Sequence, residues 1–419
     1  MAVGFNDLKD ETLVLVLRFC AARDVEALAV ASRVVALEVL PRFPDIWRSV
    51  FCRRWGTLNF PLKADMAVRL SAPLDALFPS SCSTSRKFQL LAHAVTPVPS
   101  YADLSRTYRS RRYSDSVHRV ISLGEPSDRP SHTVDFAFDG RFLGEDRTVR
   151  ANVPFPMTMH VGVYARQLPS GELLYEVGVV SSGYFEYSIT HRARVGDSVG
   201  RLRGEDMTAI GIVADKFPLV GRQPGWRGRS YGYHGDDGRF FNASMQVHDC
   251  DRSMLKIVRM WGEPFGERFG PGDTVGCGVR NLHQTGQMLV FFTRNGAIVT
   301  DDRVAPEGFI QCSYRDWYPA VGLDSYDSVH INFGQEPFVA SEAIDELLSE
   351  CRGLETVLSE HLQWYDIRDS DDESVTSEEI IEDGASDDEL MRTDVTAFIL
   401  RTLERQRSHP AWQGRPNEL

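Results

Sequence analysis

The sequence lacks any long uninterrupted apolar run. No stretch of its 419 residues approaches the roughly 18 apolar residues that a membrane helix needs. Its first residues also lack a basic segment followed by an apolar one and a small-residue cleavage site. We therefore expect no membrane association and a location in the cytoplasm, the nucleus or both.

Paired metal-binding or disulfide-forming residues are also missing. The seven cysteines are scattered and never spaced Cys-x-x-Cys, and no two histidines have the spacing His-x-x-x-His. Asp236 with Asp237, and Asp249 with Asp251, lack the distal Glu of a calcium loop. The sequence predicts free thiols, no metal site and no cofactor.

Basic residues are too few to balance the acidic ones, but the imbalance is local. The net charge is -13, and residues 366–390 hold twelve acidic residues and a single basic one, Arg368. That segment alone carries -11, so the rest of the chain is nearly neutral. We predict an acidic disordered tail at 366–390 that either solubilises the chain or tunes association through phosphorylation of its serines and threonines.

Glycine and proline are absent from the first two apolar segments of residues 8–55, which predicts three short helices. Asp24 is expected to cap the second helix, and Trp47, Val50, Phe51 and Trp55 to line the third. The first helix is apolar on two faces: one holds Leu13, Val16, Leu17 and Cys20, and the other holds Thr12, Leu15 and Phe19. Either a partner or the following segment covers the second face.

These helices resemble an F-box. The matching residues are 8–13, 17–19, 23–25 and 45–48, whereas Lys9 stands where the family usually has Pro, and residues 31–33 replace its usual Cys-Arg pair. The resemblance implies a helical domain at 5–56 that docks on a Skp-type adaptor and through it on a cullin. The adaptor-binding residues that it implies are Leu8, Thr12, Leu13, Leu15, Val16 and Phe19.

Residues 57–115 are rich in Pro, Ser and Arg, and we predict a connector. Its basic run, Arg106, Arg109, Arg111 and Arg112, is interleaved with Tyr108 and Tyr113, a composition that also occurs in nucleic-acid-binding segments. A solvated linker explains it better, so no nucleic-acid partner is predicted.

From residue 117 to residue 338 short apolar segments alternate with period two between Gly, Pro, Asp and Asn. Phe185, Tyr187 and Ile189 share one strand face, and Asn295-Gly296 is a hairpin turn signal. Helical crossovers are absent from the pattern, so we predict a mainly β protein whose residues 116–340 form an antiparallel β-sandwich.

The sandwich segment resembles SPRY domains, especially those like Ran-binding protein M. The matching motifs include residues 149–152, 184–186, 224–226, 230–238, 269–278, 292–296, 318–322 and 332–334. Three insertions, 157–183, 191–206 and 245–268, are longer than the family usually shows. Long loops at a sandwich rim often build recognition sites, so a target protein or peptide is expected there rather than a small-molecule substrate.

For the target-binding site we predict Arg222, Trp226, Arg227 and Tyr231, because aromatic and Arg side chains dominate interface energies. Internal packing is the alternative for Tyr231 in this Gly- and Tyr-rich segment. Ser230 matches Gly-x-Ser-x-Gly, but the motif needs a strand before it and a helix after it, and a Gly-rich turn follows here.

After the sandwich, Ser341 is expected to cap a helix over 341–365, and a short amphipathic helix is predicted over 391–409. No catalytic Cys or zinc-bound frame of a ubiquitin ligase is visible, so we predict a non-enzymatic chain. The order of the two modules resembles a substrate receptor of an SCF-type cullin ubiquitin ligase. The alternative is a SPRY scaffold in a multi-protein or chromatin complex without a ligase.

Overall fold

The computed structural model describes residues 9–76, 78, 82–100, 121–123, 135–138, 146–157, 160–190, 207–219, 221–226, 229–242, 245–248, 257–260, 262–282, 286–313, 315–325 and 327–349. Several predictions fall outside these residues. They concern Leu8, Arg227, the basic run at 106–112, the insertion at 191–206, the acidic tail at 366–390 and the helix at 391–409.

Helices are the first elements of the described residues, as the apolar spacing predicts. They are α1 (Asp10–Phe19), α2 (Ala22–Ala31), a π-helical turn (Val35–Val39) that continues into α3 (Leu40–Arg42), and α4 (Asp45–Leu58). The second predicted helix is interrupted because Ser32 is extended, at φ -135° and ψ 113°. Asp24 lies inside the first turn of α2, where its carboxylate accepts a hydrogen bond from the Ala21 N–H at 3.2 Å.

The segment predicted as a connector contains regular structure: β1 (Ala67–Leu70), α5 (Ala72–Ala76) and α6 (Thr84–Ala94). Ser83 caps α6 by accepting a hydrogen bond from the Arg86 N–H at 3.2 Å. The helix α6 packs on α4, with the rings of Phe51 and Phe88 5.5 Å apart. We call residues 9–100 the N-terminal unit, because they share one apolar core.

Strands dominate the rest of the described chain, which confirms the mainly β fold. They are β2 (Ile121–Leu123), β3 (Asp135–Phe138), β4 (Arg147–Arg150), β5 (His160–Gln167), β6 (Leu173–Val180), β7 (Ser182–Thr190), β8 (Met207–Val213), β9 (Ser230–His234), β10 (Arg239–Phe241), β11 (Met245–His248), β12 (Ile257–Met260), β13 (Glu263–Pro264), β14 (Thr274–Leu282), β15 (Gln287–Arg294), β16 (Ala297–Ile298), β17 (Ile310–Cys312), β18 (Tyr318–Asp324) and β19 (Ser328–Asn332). The helix α7 (Ser341–Ser349) follows them.

Two sheets form the sandwich. One has the order β13-β10-β9-β8-β18-β4, and the other has the order β16-β15-β14-β7-β19-β3-β2 with β17 beside β15. Their inner faces share a core in which Phe185, Tyr187 and Ile189 are buried, as their alternation predicts. The predicted hairpin joins β15 to β16 at Asn295 (φ 48°) and Gly296 (φ 91°). β11 pairs with β12 in a separate ribbon within the insertion 245–268.

The insertion at 157–183 is a hairpin rather than a rim loop. Strands β5 and β6 pair antiparallel, and β1 of the N-terminal unit adds to β6 in parallel register, Ala67 opposite Leu174. On one face Val163, Tyr175 and Val177 join the core of the N-terminal unit. On the other face Tyr164 and Val180 pack with residues of α7. This hairpin therefore joins the N-terminal unit to the sandwich.

No helix within the described ranges is long and apolar enough to cross a membrane.

Candidate protein-binding surfaces

Helix α1 presents the first candidate surface. It buries Leu13, Val14 and Leu17, and Leu13 is only 1% exposed. Leu15 is 57% exposed, Val16 37% and Phe19 68%. We call these last three residues the outer face of α1. Of the two outcomes that the sequence left open for the second face, coverage by the following segment is not seen among the described residues.

The predicted adaptor-binding residues therefore separate into two groups. Thr12, Leu15, Val16 and Phe19 lie where a partner can reach them, although Val16 was expected on the opposite face. Leu13 belongs to the core of the N-terminal unit, so its side chain is not available for a contact. The helical period shows which side chains share a face of α1, but it does not show which face packs on the core. Which residues are buried therefore had to come from the structure.

Both ends of α1 are held by charged side chains. The Arg42 guanidinium pairs with Asp10 at 2.6 Å, near the first turn. The Arg53 guanidinium donates to the carbonyl oxygens of Phe19 and Cys20, which suits a cation at the negative end of a helix. The outer face is thus presented on a fixed helix.

Two further exposed apolar side chains lie in the same unit: Val30, 78% exposed, and Leu37, 65% exposed. The described residues include seven large hydrophobic side chains that are exposed, and five of them fall between Leu15 and Leu37. Single exposed apolar residues are normal, so Val30 and Leu37 by themselves do not extend the outer face of α1. Exposure of Val30 and Leu37 was not predicted, because two apolar faces were apparent only in the first helix.

The SPRY segment holds the second candidate surface, and the structure does not bring its predicted residues together. Tyr231 lies on the core side of β9, with its ring 5.2 Å from that of Trp317 and 6.2 Å from that of Phe240. Trp226 lies on the other side, 5.8 Å from the ring of His234. Successive side chains of a strand point to opposite faces, so residues 231 and 234 cannot share one.

Arg222 and Trp226 lie in the turn before β9, and both are partly exposed. A hydrogen bond fixes the turn to β4: the Thr148 hydroxyl donates to the Arg222 carbonyl oxygen at 2.8 Å. Gln223 is buried beneath it and donates its side-chain amide to Asp146 at 3.1 Å. Of the predicted target-binding residues that the structure describes, Arg222 and Trp226 share this partly exposed turn, whereas Tyr231 does not.

His234 is a buried structural histidine. Its Nε2–H donates to the Pro224 carbonyl oxygen at 2.8 Å, since a carbonyl can only accept, and its ring stacks on Phe241 at 4.2 Å. Burial lowers the pKa of His234 to about 4, because a charged imidazole would lose its hydration there. The side chain therefore stays neutral and ties the turn to β9.

Ser230 does not have the surroundings of a nucleophile elbow. It begins strand β9 instead of lying between a strand and a helix, and it is buried. Its hydroxyl oxygen accepts a hydrogen bond from the Gly225 N–H at 2.9 Å. Within the described part of the chain, no three His, Cys, Asp or Glu side chains gather as metal ligands.

Comparison with known proteins assigns the sandwich. A family model of the SPRY domain matches residues 184–336. The human Ran-binding protein 9 is 33% identical over 173 residues, which is 40% of this chain and 18% of that protein. A Drosophila melanogaster homologue of Ran-binding proteins 9/10 is 32% identical over 174 residues, 40% of this chain and 14% of its own length.

An Arabidopsis thaliana Ran-binding protein M homologue is 34% identical over 131 residues, 31% of this chain and 22% of its own length. The match spans less than a quarter of each of these relatives. A crystal structure of a human SPRY domain overlaps 51% of this chain and 94% of that chain, with 23% identity and a TM-score of 0.31.

The F-box resemblance of residues 5–56 stays a prediction. The SPRY resemblance is confirmed: residues 184–336 form a SPRY domain, a protein-interaction module similar to that of Ran-binding proteins 9, 10 and M.

Proposed function

We propose that this protein is the substrate-recognition subunit of an SCF-type cullin ubiquitin ligase. In this proposal the outer face of α1 docks on a Skp-type adaptor, and the SPRY domain binds the target protein. The observation that carries the proposal is that α1 is apolar on two sides and buries only one, leaving Leu15, Val16 and Phe19 exposed. Burying each such side chain against a partner stabilises a complex by about 1.5 to 3 kcal/mol before the costs of association.

The join between the two modules fits this role. The N-terminal unit shares a core with the β5–β6 hairpin through Val163, Tyr175 and Val177, and β1 pairs directly with β6. A receptor joined in this way would hold its target at a set distance from the adaptor. Its contribution to ubiquitination would be to raise the local concentration of target lysines near the ubiquitin carrier.

The same join supports a second candidate, a SPRY scaffold in a multi-protein complex without a ligase. In a scaffold, the helices would only stabilise the hairpin, by burying Tyr175 against the N-terminal unit. The exposed α1 residues favour the receptor, because a purely stabilising unit has no use for apolar residues that face water.

Co-purification of the full chain with a Skp-type adaptor distinguishes the two candidates. Wild type should bind, and Leu15→Asp combined with Phe19→Asp should weaken binding by about tenfold or more, since each charge must be desolvated at the interface. Leu13 is avoided because it is buried and its substitution would disrupt the unit.

Leu173→Asp is the matched control, since Leu173 is another exposed apolar residue, located on the hairpin. It should bind the adaptor as wild type does. Failure of the wild type to bind, or equal binding by the double variant, rejects the receptor and leaves the scaffold.

A further inference from the structure

An open groove of about 720 Å³ lies between α4 and the segment that leads into β1. One wall is a polar stripe of α4 that includes Asp45, Arg48 and Arg53, and the other includes Lys63, Ala67 and Val68. Arg53 connects the groove to the C-terminal end of α1, but Leu15, Val16 and Phe19 are not part of the lining, and neither is the SPRY turn at Arg222.

The charges that line the groove are mostly positive. Arg48 lies 3.5 Å from Asp45, the single acidic side chain in the lining. Arg53 donates to the main-chain carbonyl groups of Phe19 and Cys20, which carry only partial negative charge. Lys63 is exposed and forms no ion pair with the described residues, and Asp65, in the same segment, does not line the groove. An acidic ligand suits this lining.

The backbone of β1 adds a second feature. In the three-stranded sheet of order β1-β6-β5, β1 is an edge strand, and no other strand of the described chain pairs with its outer side. Ala67 and Val68 of this strand line the groove. An extended peptide that lies in the groove can therefore add to β1 by main-chain hydrogen bonds while its side chains reach the cations of α4.

The chain itself contains a segment with the required charge. Residues 366–390 carry twelve acidic side chains and one basic one. They follow α7, which packs on β6, the strand next to β1. The 16 residues between Ser349 and Asp366 can span about 55 Å when extended, which is more than enough to pass along this small sheet.

We propose that the acidic segment 366–390 docks within its own chain in this groove, extended along β1 with its carboxylates facing Lys63 and Arg48. The short tether gives the segment a high effective concentration at the groove, so each individual ion pair need not be strong. Because the attraction is between charges near water, it weakens as salt is added.

Carbodiimide cross-linking of the full chain tests the proposal, since this reagent joins carboxylates to lysine amines that touch them. The chain has five lysines, of which Lys63 lies in the groove and the exposed Lys216 lies in the SPRY domain. In the monomer, links from 366–390 to Lys63 should exceed those to Lys216 by about tenfold. Raising the salt from about 50 mM to about 500 mM should reduce them several-fold.

Arg48→Glu should reduce the Lys63 links several-fold, whereas Arg229→Glu, an equal charge change at an exposed SPRY position, should not. Links spread evenly over the lysines, or no link from 366–390 to Lys63, would overturn the proposal. So would links found only in cross-linked dimers, because the segment would then bind a second copy.

Discussion

Helix α1 and strand β9 both contain aromatic and apolar residues for which the sequence predicts binding roles, but the fold treats them differently. On α1, Leu15 and Phe19 face water. On β9, Tyr231 packs between Trp317 and Phe240. The α1 residues lie on the outside of a small helical unit, while β9 is an inner strand flanked by β8 and β10. Residue type alone therefore does not distinguish a binding anchor from a core residue.

The largest effect on the sandwich is expected from truncation at β9. Tyr231→Ala should lower the free energy of unfolding by about 3 kcal/mol, because it removes a partly buried ring that packs against Trp317 and Phe240. Tyr231→Phe keeps the ring and should cost only about 1 kcal/mol. Denaturant unfolding followed by fluorescence measures both. If the Ala variant is as stable as wild type, Tyr231 belongs to the surface after all.

A smaller effect is expected from the titration of His234. The folded-state pKa of His234, about 4, lies below the ordinary value of 6.5, so the unfolded state binds the proton more readily. Stability should be fully present above pH 6.5 and should fall by about 2 to 3 kcal/mol as the pH drops to about 4. The outer face of α1 contains no titrating side chain, so adaptor binding should not follow this profile.

The check is the free energy of unfolding measured against pH for wild type and His234→Gln. The amide of Gln can still donate a hydrogen bond, so the variant should fold but lose much of the slope below pH 6.5. Equal slopes in the two proteins would show that His234 is not the group responsible.

The smallest effect on stability is expected at α1. Leu15→Ser together with Phe19→Ser should change the free energy of unfolding by less than about 0.5 kcal/mol, since both side chains are exposed. Leu13→Ala on the same helix should cost about 2 to 5 kcal/mol. Thermal unfolding of the two variants measures this contrast, and a large loss in the double Ser variant would mean that the outer face is covered.

Local patterns predicted the local structure well. The Asn295-Gly296 turn forms because both residues adopt positive φ, and the alternation of Phe185, Tyr187 and Ile189 follows from the two-residue repeat of a strand. The presence of helices α1 and α4, although not their bounds, follows from apolar spacing in the same way. These features depend on neighbours within a few residues.

Local patterns could not predict that Tyr231 faces the core while Arg222 and Trp226 stay partly exposed. Whether Tyr231 or Trp226 faces the core depends on where β9 starts and on which sheet covers it. The length of the insertion 157–183 predicts a recognition loop, but the segment forms the hairpin β5–β6. Its alternating apolar residues, Val161, Val163 and Ala165, were the signal for a strand with a buried face.

By itself the sequence determined the SPRY sandwich, the helical start and the charge of residues 366–390, because periodicity, turn residues and composition act over short distances. Only the tertiary structure decided that β1 pairs with β6 and that the β5–β6 hairpin lies between the N-terminal unit and α7. Val68 and Tyr175 are opposite each other in that pairing although more than a hundred residues separate them. Such a contact depends on the closure of a long loop, which no local pattern in the sequence records.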